Sequence, residues 1–207
     1  MEMNVLEFDR IAREVFAPVY RFIAEKIKVK TGVTEGLCVD LGAGGGYLGI
    51  ELAKITDLKM YLLDSSLEMV DIARDNIINA GLAKRLHAIH GDVHNMLMPD
   101  SSVDLVVSRG SVFFWEDTTK AFREIYRVLA PRGIAYIGGG LGSPEIRKQV
   151  VAKLKEMGRE FPLAGKKGKK DHQALFRRAL KDAGITNCSV IRSEAGLWIV
   201  IRKEMME

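Results

Sequence analysis

Apolar residues along this chain follow two rhythms. Over residues 5–28 they recur at helical spacing: Val5, Phe8, Ile11, Ala12 and Val15, then Val19, Phe22, Ile23 and Ile27, with Pro18 between the sets. Residues three or four apart share a helix face, so the spacing predicts two helical pieces. Proline has no N–H to give a helix interior, so Pro18 starts the second piece or kinks the pair. After the polar "KTGVTEG" the pattern changes to short apolar runs alternating with helical ones. Strands are predicted at "LCVDL", "KMYLLD", "LHAIHGD", "VDLVVSR" and "GIAYIGGG", the last over residues 133–140. Helices are predicted between them at "YLGIELAKI", at "SSLEMVDIARDNIINAGL" and at "DTTKAFREIYRVL", which "APRG" stops. Ser65 or Ser66 caps the second of these, and Gly81 ends it. Further helices follow over residues 144–157 and 173–183. Two β-runs, "CSVIRS" and "GLWIVIRK", close the pattern around a tight Glu-Ala-Gly turn.

Such alternation predicts an α/β fold with a mainly parallel, doubly wound, Rossmann-like sheet of seven strands and helices on both faces. The last two runs must pair antiparallel, because a parallel pair needs a long crossover. This gives one antiparallel strand near the C-terminus. The length of 207 residues suits one domain. Its expected parts are an N-terminal helical lid (1–34), a cofactor-binding core (35–142), a lid with a basic insertion (143–171), and a closing helix with a β-hairpin (172–207). No apolar run approaches the ~20 residues that span a bilayer, and "MEMNVLEFD" lacks a signal-peptide layout, so a cytoplasmic, membrane-free protein is expected. Cys38 and Cys188 sit in strand-like runs without metal or redox spacing and read as buried thiols.

Four of the seven residues from Asp40 to Gly46 are glycine, at a strand-to-helix junction. Glycine packs nothing and costs backbone entropy, and at such a junction its use is the close approach of backbone to a ligand. Two registers compete. Gly44, Gly46 and Gly49 fit the dinucleotide spacing G-x-G-x-x-G, but that match starts late and puts Gly49 about a turn into the helix. The earlier register, D-x-G-x-G-x-G, uses Asp40, Gly42, Gly44 and Gly46. An acid ending the first strand opposes a pyrophosphate and suits a ligand with a cationic amino group.

Around these residues the chain resembles the class I S-adenosylmethionine-dependent methyltransferases. The resemblance runs over roughly residues 37–140 and rests on motifs in order. Asp64 ends the second strand 24 positions after Asp40. Asp92 follows "LHAIHG", and "VDLVVSRGSVFFWED" matches the fourth strand and the loop facing the reacting methyl. The resemblance implies S-adenosylmethionine as cofactor and S-adenosylhomocysteine as product. Asp40 would then lie toward the methionine end, with the Gly42–Gly44–Gly46 backbone beneath the ligand. Asp64 would take the ribose hydroxyls, Asp92 the adenine amino group, and the Val93 N–H the ring. Ser65 and Ser108 complete the cofactor-side candidates. Met69 either packs on the adenine or simply packs its helix. The family also ends its sheet with an antiparallel strand, which "GLWIVIRK" resembles.

The acceptor side is less determined. The family's amine-methylating nucleic-acid enzymes resemble one another in a proline-containing turn after the fourth strand, where this chain has Ser108-Arg109-Gly110-Ser111. Cysteine-nucleophile, metal-dependent and arsenite enzymes lack their required residues here as well. What remains resembles the group acting on small molecules. Phe113, Phe114 and Trp115 would wall an aromatic or apolar acceptor, or anchor the next helix. Glycines 138–140 and 142 would leave space at the sheet edge. Tyr20 is a candidate hydrogen-bond partner and Arg109 a candidate anion clamp.

His87, His90 and His94 suggest a metal, but strand positions three apart face opposite ways, so no metal site is expected. The formal charge of +4 is concentrated in "GKKGKKDHQALFRR". No aromatic residues interleave with those lysines to stack bases, so nucleic acid is not the expected partner. Two alternatives stay open: an RNA or protein methyltransferase using this basic segment, and a non-catalytic S-adenosylmethionine-binding module. Nothing in the sequence specifies an oligomeric state.

Overall fold

The structure, a computed structural model, describes residues 5–159 and 171–205. The N-terminal apolar pattern folds as two helices, α1 (Val5–Glu14) and α2 (Ala17–Thr31), with Pro18 in the first turn of the second. There follow β1 (Leu37–Leu41), α3 (Tyr47–Lys54), β2 (Lys59–Asp64), α4 (Leu67–Asn79) and β3 (Leu86–His90). Next come β4 (Val103–Arg109), a short 3-10 turn (Ser111–Phe113), α5 (Thr118–Val128) and β5 (Leu129–Gly139). The remainder is α6 (Pro144–Glu156), α7 (His172–Asp182), β6 (Cys188–Ser193) and β7 (Gly196–Arg202). Polar side chains set several helix starts: Ser66 accepts from the Met69 N–H, Asp117 from Lys120, and Ser143 from Ile146. Of the two serines before α4, Ser66 is therefore the cap.

The described residues form one seven-stranded sheet in the order β3-β2-β1-β4-β5-β7-β6. β1 to β5 run parallel, and β7 runs antiparallel to both β5 and β6. One strand is thus reversed, as the tight final turn requires. Side chains of successive β-residues face opposite layers. Cys38, Leu105 and Val107 enter the core under α2, α3 and α4, while Val39, Leu41 and Val106 enter the core under α5 and α7. Burial on both faces is why β1 reads as a nearly unbroken apolar run. From β1 the chain builds outward to β2 and β3 on one side, and β4 and β5 occupy the other. Loops leaving β1 and β4 diverge at this switch point and open a crevice at the carboxyl ends of the strands.

Two boundaries differ from the sequence pattern. β5 begins at Leu129, which pairs with Val103 before a register irregularity, and the main ladder resumes at Ile134 opposite Leu105. The "APRG" stretch is a kinked part of the strand, with Arg132 at φ 66°. β3 stops at His90; Gly91 still donates to the Asp64 carbonyl at 3.0 Å, and Asp92 then turns away to bridge with Asn95. Cys38 is buried and Cys188 half-buried, both as free thiols. No described helix is long and apolar enough to cross a membrane. Residues 160–170, with the four lysines of the basic segment and part of the expected second lid, lie outside the described residues.

Candidate active site

The crevice is a cavity of about 1740 Å³, and its walls are set by the ends of β1, β2, β4 and β5 together with α1 and α2. The turn after β1 is bound to its neighbour: the Gly42 and Ala43 N–H groups donate to the Leu63 carbonyl at 2.8 and 3.1 Å. Gly42 has φ +63°, and a Cβ there would sit 2.3 Å from Ser111 Cβ. Both the backbone angle and the approach of the β4 loop therefore demand glycine. Gly46, at φ 81°, is the residue from which α3 starts. It lies beneath the turn against Leu62 and does not line the cavity.

Three carboxylates stand along the β1–β2–β3 side. Asp40 is 2% exposed, and its Oδ2 accepts from the Gly49 N–H at 3.1 Å. Burial pushes its carboxyl up to about 8; the Gly49 bond opposes this and the nearby Asp64 charge adds to it. Asp64 Oδ2 accepts from the Gly44 N–H at 2.7 Å and Oδ1 from the Ser66 N–H at 3.0 Å. Asp92 Oδ1 accepts from the His94 backbone N–H at 2.9 Å and from its ring Nδ1 at 2.6 Å. The His94 backbone bond leads in holding the Asp92 carboxyl below its ordinary range. His94 Nε2 accepts from the Asp117 N–H at 3.3 Å, so the ring proton resides on Nδ1. Ser65, Met69 and Val93 also line this side, Met69 being 8% exposed in the first turn of α4. Ser108 does not: it is fully buried, and its hydroxyl lies 2.6 Å from Ser111 Oγ, which donates to the Leu41 carbonyl at 2.8 Å. Ser111 thus ties the loop after β4 to the end of β1 and lines the cavity, while Ser108 lies buried behind it and bonds to its hydroxyl.

The β4–β5 side is aromatic and basic. The Arg109 guanidinium carbon lies 4.7 Å from the Phe16 ring centre and 5.1 Å from that of Tyr20. Tyr20 is buried and stacks on Tyr47 at 5.5 Å; burial raises its phenol, with the Arg109 charge opposing. Phe113, Phe114 and Trp115 all line the cavity. Phe113 also packs edge-on to His172 at 5.2 Å, and Trp115 packs on Phe122 of α5 at 6.3 Å, while Phe114 is 85% exposed. Wall and anchor are the same residues for Phe113 and Trp115. Gly139 and Gly140 at the end of β5 line the cavity with their backbone, while the places their side chains would take are already occupied. A Cβ on Gly139 would meet Phe113 at 2.6 Å and one on Gly140 the Ala195 carbonyl at 1.9 Å. They are small so that the β6–β7 turn and Phe113 can close in.

Helix α1 closes the cavity from outside with Val5, Phe8 and Ile11. Its Asp9 is 9% exposed and accepts from the Tyr47 hydroxyl at 2.7 Å, and Glu7 pairs with Arg159 beyond α6. Asp9 and Tyr47 carry no signal in the sequence pattern as site-forming residues. Among the described residues no three metal-capable side chains come together. His87 instead packs against Tyr61 at 5.9 Å.

A methyltransferase-domain family model matches residues 39–137. The crystal structure of a protein assigned as an S-adenosyl-L-methionine-dependent methyltransferase from Methanococcus maripaludis is 40% identical, covering 100% of this chain and 96% of that one, with a TM-score of 0.88. These findings define the class: the chain belongs to the S-adenosylmethionine-dependent methyltransferases, and S-adenosylmethionine is its cofactor. Among curated proteins, rice chloroplastic 2-methyl-6-phytyl-1,4-hydroquinone methyltransferase 1 is 33% identical over 102 residues, 49% of this chain and 30% of that protein. The sterol 24-C-methyltransferase of Aspergillus fumigatus is 31% identical over 121 residues, 56% of this chain and 32% of that one. The alignments with these two relatives cover about a third of their length.

Proposed function

We propose that this chain transfers a methyl group from S-adenosylmethionine to a small-molecule acceptor held against the ends of β4 and β5, under α1 and α2. One observation carries the reading. The cavity has a carboxylate-lined half over β1–β3 and an aromatic half over β4–β5, so one continuous cleft can serve a donor and an acceptor side by side. The curated relatives named above act on a hydroquinone and a sterol, which supports an acceptor of that size.

The residues present fit the cofactor. Asp40 is a buried acid whose one hydrogen bond among the described residues comes from Gly49, and no cation pairs with it there. A carboxyl pushed up to about 8 by burial suits a ligand that brings its own positive charge. The two oxygens of Asp64 keep lone pairs beyond those used by Gly44 and Ser66, and would take the ribose hydroxyls. His94 occupies Oδ1 of Asp92 and leaves Oδ2 for the adenine amino group. Met69 and Val93 would border the ring, and Ser65 the ribose side. When bound, S-adenosylmethionine would supply a methyl carbon on a sulfonium, open to in-line attack by an electron pair of the acceptor as the carbon–sulfur pair returns to sulfur. The work of the chain is to hold, align and exclude water. Phe8 and Ile11 of α1 close the cavity, and Tyr20, Phe113 and Trp115 give the acceptor its apolar surroundings.

The test is incubation with methyl-labelled S-adenosylmethionine and the small-molecule, RNA and protein fractions of a cell extract. Label is expected in the small-molecule fraction. Label confined to RNA or protein would favour the basic segment as a polymer footprint. Cofactor binding with no transfer to any fraction would identify a binding module.

A further inference from the structure

Among the described residues, the Arg109 cation in the cavity has no ion-pair partner. Arg109 ends β4, and its guanidinium rests against Phe16 and Tyr20, four residues apart on the helical side of the cavity. Its Nε is buried without a partner, and its Nη2 donates to the Gly140 carbonyl at 3.4 Å, long for such a bond. Among the described residues no carboxylate pairs with it. A buried donor left unmade is costly, and a guanidinium held flat by two rings presents a fixed fork of N–H groups. Arg147, an exposed residue of α6 that lines the same cavity, likewise has no ion pair among the described residues.

Asp40 and Asp64 lie on β1 and β2 and Asp92 just past β3, on one side of the switch point, whereas Arg109 ends β4 on the other. Glu116, Asp171 and Glu194 also line the cavity, but among the described residues none of them pairs with Arg109. An anionic acceptor would be turned away from Asp40, Asp64 and Asp92 and drawn to Arg109. We propose that Arg109 is the specificity-determining residue for an acceptor bearing a carboxylate or phosphate, whose apolar body lies against Tyr20 and Phe113. This inference rests on the methyl-transfer reading above and names the class of its substrate. Planar, bidentate capture by the fork also fixes the orientation of the acceptor.

The test uses protein saturated with S-adenosylhomocysteine and three probes followed by calorimetry and NMR: benzoate, phenyl phosphate and the neutral benzamide. At least one anion should bind about tenfold more tightly than benzamide, as a charge-assisted pair requires. In Arg109→Gln the preference should fall to about twofold or less while S-adenosylhomocysteine affinity is retained; Arg109→Lys should restore part of it. In the wild-type protein the Arg109 Nε–H resonance should move with the favoured anion and stay still with benzamide, which decides the matter even where the variants fail to fold. Equal binding of benzamide, no anion binding at tens of millimolar, or a preference surviving in Arg109→Gln would overturn the proposal. Loss of S-adenosylhomocysteine affinity in Arg109→Gln with benzoate binding intact would assign the arginine to the cofactor's own carboxylate and overturn it too. If S-adenosylhomocysteine does not bind the wild-type protein, the methyl-transfer reading itself fails; if it binds without any anion preference, only the present inference does.

Discussion

The Gly44 N–H donates to Asp64 Oδ2 at 2.7 Å, joining the turn after β1 to the last residue of β2. Glycine loop and acid are therefore one unit, and the other oxygen of the same carboxylate holds the start of α4 through Ser66. A ligand bound by Asp64 would sit on a carboxylate already oriented by two backbone donors, with little left to order on binding.

Asp64→Ala is expected to weaken S-adenosylhomocysteine binding by about 1–3 kcal/mol, through lost hydroxyl bonds and a loosened Gly44 turn. Asp64→Asn, which keeps an acceptor oxygen, should fall between. Calorimetric titration measures both, and unchanged affinity in the alanine variant would remove Asp64 from the ribose.

Asp40 makes binding depend on pH. With its carboxyl at about 8 in the free protein, a cationic ligand must displace a proton at neutral pH. Affinity for S-adenosylmethionine should rise between about pH 6 and 8, by up to about tenfold per unit, with proton release on binding. Asp40→Asn should lose that dependence. Stability has the opposite sign. The folded state binds the extra proton between about pH 4 and 8, so the Asp40 contribution falls as pH rises through that window. Denaturant unfolding at several pH values should find the decline flattened in Asp40→Asn.

The bond from Tyr47 to Asp9 fastens α1 across the glycine turn. Tyr47→Phe removes a partner from a carboxylate that is 9% exposed, at a cost of about 1–3 kcal/mol. Faster hydrogen exchange in α1 and faster release of S-adenosylhomocysteine should follow. An α1 that exchanges as in the wild type would show that the apolar contacts of Phe8 and Ile11 suffice.

Gly42→Ala should destabilise the fold by about 1–3 kcal/mol, since its φ of +63° and the 2.3 Å approach to Ser111 both exclude a methyl group. Thermal unfolding measures it. A near-neutral effect would mean that the β4 loop can move off the turn.

The parallel sheet and its one reversed strand were legible because apolar runs and turn lengths are local signals, and β1 buried on both faces leaves an unbroken run to read. The glycine turn and Asp64 were legible for the same reason. Contacts between distant segments were not. Ser108 and Ser111 are equally polar in sequence, and only the approach of β4 to Leu41 decides which hydroxyl is buried. Gly139 and Gly140 line the cavity, but only the tertiary fold shows that Phe113 takes the place of a Gly139 side chain and Ala195, more than fifty residues on, that of a Gly140 side chain. Asp9 resembled any surface acid of an amphipathic helix; its burial depends on Tyr47, across the cavity wall. The early start of β5 was hidden by proline and glycine, whose kink the strand absorbs at Arg132.

The most direct measurement is titration of the wild-type protein at pH 7 with S-adenosylmethionine, S-adenosylhomocysteine and a reduced nicotinamide cofactor, in two buffers of different ionisation enthalpy. A carboxylate cradle built around Asp40 and Asp64 predicts binding of the first two, proton release with S-adenosylmethionine, and none of the third. Tight nicotinamide binding without response to the sulfonium would contradict it and restore the G-x-G-x-x-G register of Gly44, Gly46 and Gly49.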